Sequence, residues 1–224
     1  MIVKTIIFDF DGTLVHLNID FDIIRREVEN LLIDYGINPG NLRELYVLEI
    51  IEEATEILSN HNPSKARSFN HGALQIVTKH EVKAAKEGEI IPGIPGMLKA
   101  LSSKGIKIGI ITRNCSKAVK IVFPDIDSYC NVFIPRDYIT RVKPHPDHLT
   151  LALEKMDENN YKYCFVVGDH EMDIESGRRM GIKTIGVLTG KKTRQDLIDA
   201  GADFILDDAT KIPEFIFGKQ DHSK

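Results

Sequence analysis

Short, almost wholly apolar segments recur along the chain and are separated by stretches with helical periodicity. Six of them are bounded by turns or helical patterns: 2–8, 106–111, 132–134, 163–167, 183–187 and 204–206. Strands that are apolar along their whole length are typical of a parallel sheet with helices on both faces. The alternation therefore predicts an α/β protein with a doubly wound, mainly parallel sheet.

Residues from about 20 to 87 interrupt this alternation, because no convincing strand pattern occurs in them. Three stretches fit helices instead: 22–35, 41–59 and 64–87. In the second stretch, apolar residues recur at steps of three and four, which places them on one helix face. We therefore predict two domains, namely an α/β core of residues 1–15 and 89–224 and a helical insert of residues 16–88.

The predicted start of the second insert helix depends on a capping pattern. Asn41 is followed three residues later by Glu44, which resembles a capping box with asparagine in place of serine or threonine. After the insert, the segment 90–96 (Ile-Ile-Pro-Gly-Ile-Pro-Gly) has the turn residues of a stiff connector. We expect this connector to return the chain to the α/β core.

The charge balance and the cysteines limit the partners and the compartment. With 29 Lys and Arg against 33 Asp and Glu, the net charge of −4 gives no general attraction to nucleic acid or anionic membranes. The three cysteines are a poor disulfide framework. No apolar stretch approaches the ~20 residues that a membrane span requires. We expect a cytoplasmic protein without nucleic-acid or membrane partners.

Polar side chains follow four of the predicted strands. They are Asp9 and Asp11 after the first strand, Thr112 after the second, Lys143 past the third, and Asp169 and Asp173 after the fourth. Ligands of parallel sheets bind at the carboxyl ends of the strands, so we expect these groups to share one edge. Gathered carboxylates repel one another unless a cation joins them. Oxygen ligands with few nitrogens or sulfurs favour Mg²⁺ over zinc.

The formal charge of these groups supports a metal ion independently. The four carboxylates sum to −4, Lys143 reduces this to −3, and Mg²⁺ reduces it to −1. A proton on Asp11 brings the sum close to zero. Without the metal, such a site would repel any anionic ligand.

Four motifs resemble, in their order along the chain, the signature of the haloacid dehalogenase-like phosphohydrolase superfamily. They are Asp9-x-Asp11-Gly12-Thr13, Thr112, Lys143, and Gly168-Asp169-x-x-x-Asp173. The stretches 173–181 and 200–203 are similar to the phosphoglycolate phosphatase-type branch. The match covers residues 1–15 and about 90–208. The helical insert resembles the family's cap by position and type.

The resemblance implies a catalytic role for four residues. Asp9 would be the nucleophile that forms an aspartyl-phosphate. Asp11 would protonate the leaving oxygen and would then activate water as a general base. Thr112 would donate its hydroxyl to a phosphoryl oxygen, and Lys143 would neutralise charge on the phosphate and on the nucleophile.

The resemblance also implies the binding residues. The phosphate-binding set would be Gly12, Thr112, Arg113, Asn114 and Lys143. The Mg²⁺ set would be Asp9, Asp11 through its backbone carbonyl, Asp169, and Asp173, which would orient the shell directly or through water.

The implied function is a Mg²⁺-dependent phosphatase for small phosphate monoesters, such as phosphoglycolate-like molecules or sugar phosphates. A phosphomutase, which passes the phosphoryl group to a second sugar hydroxyl, would use the same residues. A non-catalytic binding or signalling protein on this scaffold is a third alternative. Receiver domains of response regulators are much shorter, however, and their first acids are adjacent. The sequence does not indicate an oligomeric state.

Two histidines depart from the family pattern. We expect His16 to be a hinge residue where the insert leaves the core, and we expect His170 to face the surface. In the third insert helix, Lys65, Arg67 and His71 are candidates for contact with a substrate anion, although a solvated charged face is the favoured interpretation.

Overall fold

A computed structural model of the chain describes residues 2–218. The chain divides into two compact units. The α/β unit consists of Met1–Leu17 and Glu87–Lys224, and the helical unit is Asn18–Lys86. The end of the predicted core, residues 219–224, lies outside the described residues.

All the strands belong to the α/β unit. They are β1 (Thr5–Phe8), β2 (Val15–His16), β3 (Glu89–Ile90), β4 (Lys107–Ile111), β5 (Val132–Ile134), β6 (Cys164–Gly168), β7 (Lys183–Val187) and β8 (Phe204–Leu206). Six of them form one sheet in the order β5-β4-β1-β6-β7-β8, and every pair in it is parallel. This confirms the predicted fold class.

The helices divide between the two units. In the helical unit they are α1 (Phe21–Asp34), α2 (Val47–Ser59) and α3 (Pro63–Ala85). In the α/β unit they are α4 (Ile94–Ser103), α5 (Ser116–Val122), α6 (Pro146–Lys155), α7 (Glu171–Arg179), α8 (Arg194–Asp199) and α9 (Ile212–Phe217). Across residues 2–218, no helix combines the length and the apolar character needed to cross a bilayer.

The central position of β1 explains its mainly apolar sequence. β1 lies between β4 and β6, and Ile6, Ile7 and Phe8 are all fully buried. Side chains on both faces of such a strand meet packed helices rather than water, and its one polar side chain, Thr5, donates its hydroxyl to Glu158 Oε2 at 2.8 Å. Leu149 and Leu153 of α6 belong to the cluster that covers one face.

A second, two-stranded sheet was not predicted. β2 and β3 pair antiparallel, with Val15 opposite Ile90 and His16 opposite Glu89. The predicted connector over 90–96 is wrong in its second half, because α4 already begins at Ile94. Gly93 precedes this helix with a φ of 91°, and the proline in the first turn fits a helix start.

The predicted start of the second insert helix is also wrong. A short 3₁₀ helix, Pro39–Leu42, replaces the first part of the predicted helix, and α2 begins only at Val47. The guanidinium of Arg25 donates to the backbone carbonyl of Arg43 at 3.2 Å and to that of Leu45. These two carbonyls accept hydrogen bonds from a side chain of α1, whereas in an α-helix they would accept from backbone N–H groups. The capping pattern at Asn41 therefore starts no α-helix.

Candidate active site

Three acids converge beyond the ends of two central strands. Asp9 follows β1 and Asp169 follows β6, and these two strands are direct neighbours. Asp173 lies in the first turn of α7. One carboxylate oxygen from each acid lies within 4.8 Å of the others, and the three residues are at most 8% exposed. The structure therefore brings together three of the four acids expected at the metal site.

Lys143 is the buried cation of this cluster. Its Nζ donates to Asp173 Oδ1 at 2.6 Å and to Asp9 Oδ1. Burial alone lowers the pKa of the Lys143 ammonium, but the neighbouring Asp173 and Asp9 carboxylates outweigh it, and the pKa lies above its ordinary value. The lysine therefore carries its charge at neutral pH, between two of the acids.

Two glycines allow the backbone to approach Asp169. Gly12 has a φ of 79°, and a Cβ on it would lie 2.4 Å from Asp169 Oδ2. A Cβ on Gly190 would lie 1.7 Å from the same oxygen. The Thr189 hydroxyl donates to the Gly12 carbonyl at 2.5 Å, so the loop after β7 also borders the site. No sequence motif indicated this loop, although it follows the end of β7 as the predicted motifs follow the ends of other strands.

Asp11 lies apart from the three-acid cluster. Its Oδ1 accepts the backbone N–H of Leu17 at 3.0 Å. Burial and, after it, the charge of Asp9 raise the pKa of Asp11 to about 7, whereas the Leu17 N–H and the charge of Lys191 act in the opposite direction. A carboxyl group with this pKa is partly protonated near neutrality and is suited to exchange a proton with a substrate.

The acids of the cluster do not have enough positive charge beside them. Burial raises the pKa of Asp9 to about 6, in spite of Lys143. Burial also raises the pKa of Asp169 well above its usual range, and the charges of Asp9 and Asp173 raise it further. A hard cation would favour the ionised forms, and a donor set of carboxylate oxygens suits Mg²⁺. The residues present therefore fit the expected metal.

The predicted phosphate-binding turn follows β4. Thr112 is 1% exposed, its N–H donates to the Ile134 carbonyl at 3.2 Å, and its hydroxyl oxygen accepts the Asn114 N–H at 3.1 Å. Arg113 differs from the expectation, because its Nη1 donates to the backbone carbonyl of Lys143 at 2.6 Å. One nitrogen of its guanidinium is therefore bound to protein rather than left for a phosphate.

The two unusual histidines have different environments. His16 is exposed in β2. His170 is half-buried at the start of α7, where its Nδ1 accepts the Met172 N–H and its own N–H donates to Asp173 Oδ2 at 3.1 Å. The expected surface orientation of His170 is therefore wrong, because the ring caps a helix. Burial lowers the pKa of His170.

The three charged residues considered in the insert are all exposed. Lys65, Arg67 and His71 lie on α3. Their exposure agrees with the favoured interpretation of a solvated charged face.

Three proteins illustrate what the chain is similar to. A pyrophosphatase named PpaX from Oceanobacillus iheyensis is 26% identical over 222 residues, which cover 95% of this chain and 96% of that protein. A structure described as a haloacid dehalogenase-like hydrolase from Bacteroides fragilis has a TM-score of 0.67 at 21% identity and covers 94% of this chain and 99% of its own. Another structure, described as a phosphoglycolate phosphatase from Lactobacillus delbrueckii subsp. bulgaricus, has a TM-score of 0.64 at 21% identity. The match covers 98% of this chain and 100% of that one.

The structural likenesses, at these identities, establish the fold. The family is established by a sequence model, described as haloacid dehalogenase-like hydrolase, that matches residues 6–187. Because this match spans most of the 224 residues, the chain belongs to the haloacid dehalogenase-like hydrolase family.

Proposed function

We propose that this hydrolase is a magnesium-dependent phosphatase that cleaves small phosphate esters through an aspartyl-phosphate on Asp9. The observation that carries the proposal is the buried cluster of Asp9, Asp169 and Asp173 around the Lys143 ammonium. Buried carboxylates at this separation destabilise a fold unless they bind a cation, so a purely structural role does not explain them.

In the first step, a carboxylate oxygen of Asp9 attacks phosphorus while the bond from phosphorus to the leaving oxygen breaks. Asp11 gives its proton to that oxygen, as a pKa of about 7 allows. The Lys143 ammonium and the Thr112 hydroxyl stabilise the charge on the phosphoryl oxygens. The product is an acyl phosphate on Asp9.

In the second step, Asp11 is a carboxylate and takes a proton from water. The water oxygen attacks phosphorus and the bond to Asp9 breaks, which releases inorganic phosphate and regenerates both acids. The cycle consumes one ester and one water molecule and needs no other reactant.

Mg²⁺ would be held by Asp9, Asp169 and the backbone carbonyl of Asp11, with Asp173 orienting this shell. When bound, the ion supplies positive charge that offsets the acids and draws in the anionic substrate.

Pyrophosphate belongs among the candidate substrates, together with phosphoglycolate-like esters and sugar phosphates. The relative from Oceanobacillus iheyensis is named a pyrophosphatase and matches nearly the whole chain. Lys191 acts to lower the pKa of Asp11, so a cation lies near the group that would protonate the leaving oxygen. An anionic leaving group, such as phosphate or a carboxylate-bearing alcohol, would be favoured there. We propose that the helical unit acts as a cap that selects among these substrates.

The test is phosphate release from a panel of p-nitrophenyl phosphate, 2-phosphoglycolate, sugar phosphates, nucleotides and pyrophosphate. We expect EDTA to abolish turnover and added Mg²⁺ to restore it. Full activity in the presence of EDTA would contradict the proposed dependence on Mg²⁺. Isomerisation of a sugar phosphate without phosphate release would indicate a mutase, and a stoichiometric, long-lived phosphoprotein would indicate a signalling protein.

A further inference from the structure

The backbone of Lys143 is held on both sides. Its peptide N–H donates to Nδ1 of His148 at 3.2 Å, and its carbonyl accepts from Nη1 of Arg113 at 2.6 Å. These bonds come in addition to those that its side chain makes with Asp9 and Asp173. Because both peptide groups of this residue are bound by side chains, the start of the Lys143 side chain has a fixed position.

The hydrogen bonds of His148 define its protonation state. The residue is fully buried in the first turn of α6, and its Nε2 lies 2.9 Å from the backbone carbonyl of Ile134. An Nδ1 that accepts a hydrogen bond from an N–H carries no proton, so Nε2 carries the ring proton and donates a hydrogen bond to the carbonyl. The ring is therefore a neutral imidazole with one tautomer. Burial lowers its pKa to about 4, which agrees with this state.

The Ile134 carbonyl connects this ring to the second phosphate-binding residue. It accepts the His148 Nε2–H and also the backbone N–H of Thr112 at 3.2 Å. A short chain of hydrogen bonds therefore runs from the Lys143 backbone through His148 and Ile134 to the Thr112 backbone. The two residues proposed to bind the phosphoryl oxygens are joined by one buried ring.

We propose that His148 is a positioning residue that sets Lys143 and Thr112 at a fixed separation, so that the ammonium and the hydroxyl bind the same phosphoryl group. This inference rests on the proposed phosphatase function. It assigns to His148 no contact with substrate. A shift of about 1 Å in a catalytic group is enough to slow a reaction about 100-fold, so a residue of this kind affects kcat without taking part in the chemistry.

Two substitutions separate the two hydrogen bonds of the ring. His148→Asn keeps an acceptor near the position of Nδ1, within reach of the Lys143 N–H. His148→Gln keeps a donor near the position of Nε2, within reach of the Ile134 carbonyl, and loses the acceptor. Leu153→Ala, a buried change on the same helix, is the matched control for loss of core packing.

Each variant breaks one of the two links between Lys143 and Thr112, so we expect both His148→Gln and His148→Asn to lower kcat by about 10- to 100-fold and to weaken inhibition by inorganic phosphate. We expect Leu153→Ala to lower Tm with kcat of the folded enzyme unchanged. Wild-type kcat in either folded His148 variant, or the same loss of kcat in Leu153→Ala at a matched loss of Tm, would overturn the proposal.

Nitrogen-15 NMR of the wild-type histidines gives a test that needs no variant. We expect the ring of His148 to remain neutral, with its proton on Nε2, from pH 5.5 to 8. A proton on Nδ1 at pH 7 would overturn the inference even if both variants failed to fold. If the wild-type protein cleaves no phosphate ester, the proposed function fails, whereas the NMR result still reports on the hydrogen bonds of this ring.

Discussion

The α/β unit buries a group of charges that lie against one another, whereas the charged pairs of the helical unit are half-buried or exposed. In the α/β unit, Asp9, Asp173 and Lys143 are between 2% and 7% exposed and are in contact. The pairs of the helical unit are Arg25 with Glu29, Arg43 with Glu44, and Glu27 with Lys79 and His80. Among residues 18–86, Glu81 is the one charged side chain that is buried.

This contrast distinguishes buried charges that need a ligand from surface charges that do not. Surface pairs each contribute little to stability, and their loss is readily tolerated. Buried carboxylates that repel one another lower stability and persist where a ligand requires them. The difference therefore favours the α/β unit as the place of the proposed chemistry, on physical grounds that are independent of the family resemblance.

The largest expected effect is on the nucleophile. We expect Asp9→Asn to lower turnover by at least about 10³-fold, because an amide cannot form the acyl phosphate, and to leave the fold intact. The measurement is phosphate release, with circular dichroism as the control for folding. Glu27→Gln in the helical unit is the matched change of charge, with activity expected within about twofold. Substantial turnover in purified Asp9→Asn would remove Asp9 as the nucleophile.

The second effect is on stability in the presence of metal. At 100 times its dissociation constant, a ligand stabilises the folded state by about 2.7 kcal/mol, so Mg²⁺ is expected to raise Tm by several degrees. The increase should be larger at pH 8 than at pH 6. Burial and neighbouring acids raise the pKa of Asp9 to about 6 and raise that of Asp169 well above its usual range, so protons compete with Mg²⁺ at the lower pH.

Thermal unfolding with and without Mg²⁺, at both pH values, checks this. The rise in Tm caused by Mg²⁺ should be mostly lost in Asp169→Asn and kept in Glu27→Gln. If Mg²⁺ raises the Tm of the Asp169 variant as much as that of the wild type, the metal binds elsewhere.

The third effect is on the pH dependence of folding. Burial lowers the pKa of His148 to about 4, against 6.5 for an exposed histidine, so below pH 6.5 the unfolded chain binds more protons than the folded one. The stability that depends on a neutral ring is present above pH 6.5 and is lost as the pH falls toward 4.

Between pH 7.5 and pH 5 this loss amounts to about 2 kcal/mol. Urea unfolding of the wild type and of His148→Asn at the two pH values measures it. The acids of the active site contribute equally to both proteins and cancel in the comparison. Parallel pH profiles would show that the ring is not held neutral.

The smallest effect is at the surface of the helical unit. The pKa of Glu27 is lowered, chiefly by the hydrogen bond from His80, so the pair stabilises the fold above the titration range of the carboxyl group and loses this effect on acidification. The side chain of Glu27 is 36% exposed, and solvent screening reduces the gain. We expect Glu27→Gln to lower the free energy of unfolding by less than about 1 kcal/mol at low salt. At high salt, where the pair is screened, the wild type and the variant should differ little in stability. A larger loss would show that surface charge also stabilises this unit strongly.

Much of the fold could be predicted because it follows from local patterns. β5, β7 and β8 have the predicted bounds, since strands of a parallel sheet covered by helices are mainly apolar and stand out between helical patterns. The family match confirms the resemblance that the motifs at the strand ends indicated, and it confirms that the chain is an enzyme of this superfamily.

The features that were missed depend on contacts between distant residues. The two-residue strands β2 and β3 are too short to carry a periodic pattern, and they form only when the chain brings Val15 beside Ile90. The break before α2 depends on Arg25, which lies about 20 residues away. The role of His148 depends on Lys143 and on the carbonyl of Ile134, and no spacing rule relates these three residues.

The place of β1 in the sheet has a consequence for biosynthesis. This strand is made before every other strand of the sheet, yet its two neighbours begin only at Lys107 and Cys164. At about 5–20 residues per second, a ribosome takes roughly 5–20 s to complete the hundred or so residues before β4. Throughout that interval the mainly apolar Thr5–Phe8 segment and the adjacent Asp9 have no partner strand in the sheet. The site can therefore assemble only after most of the α/β unit has been made.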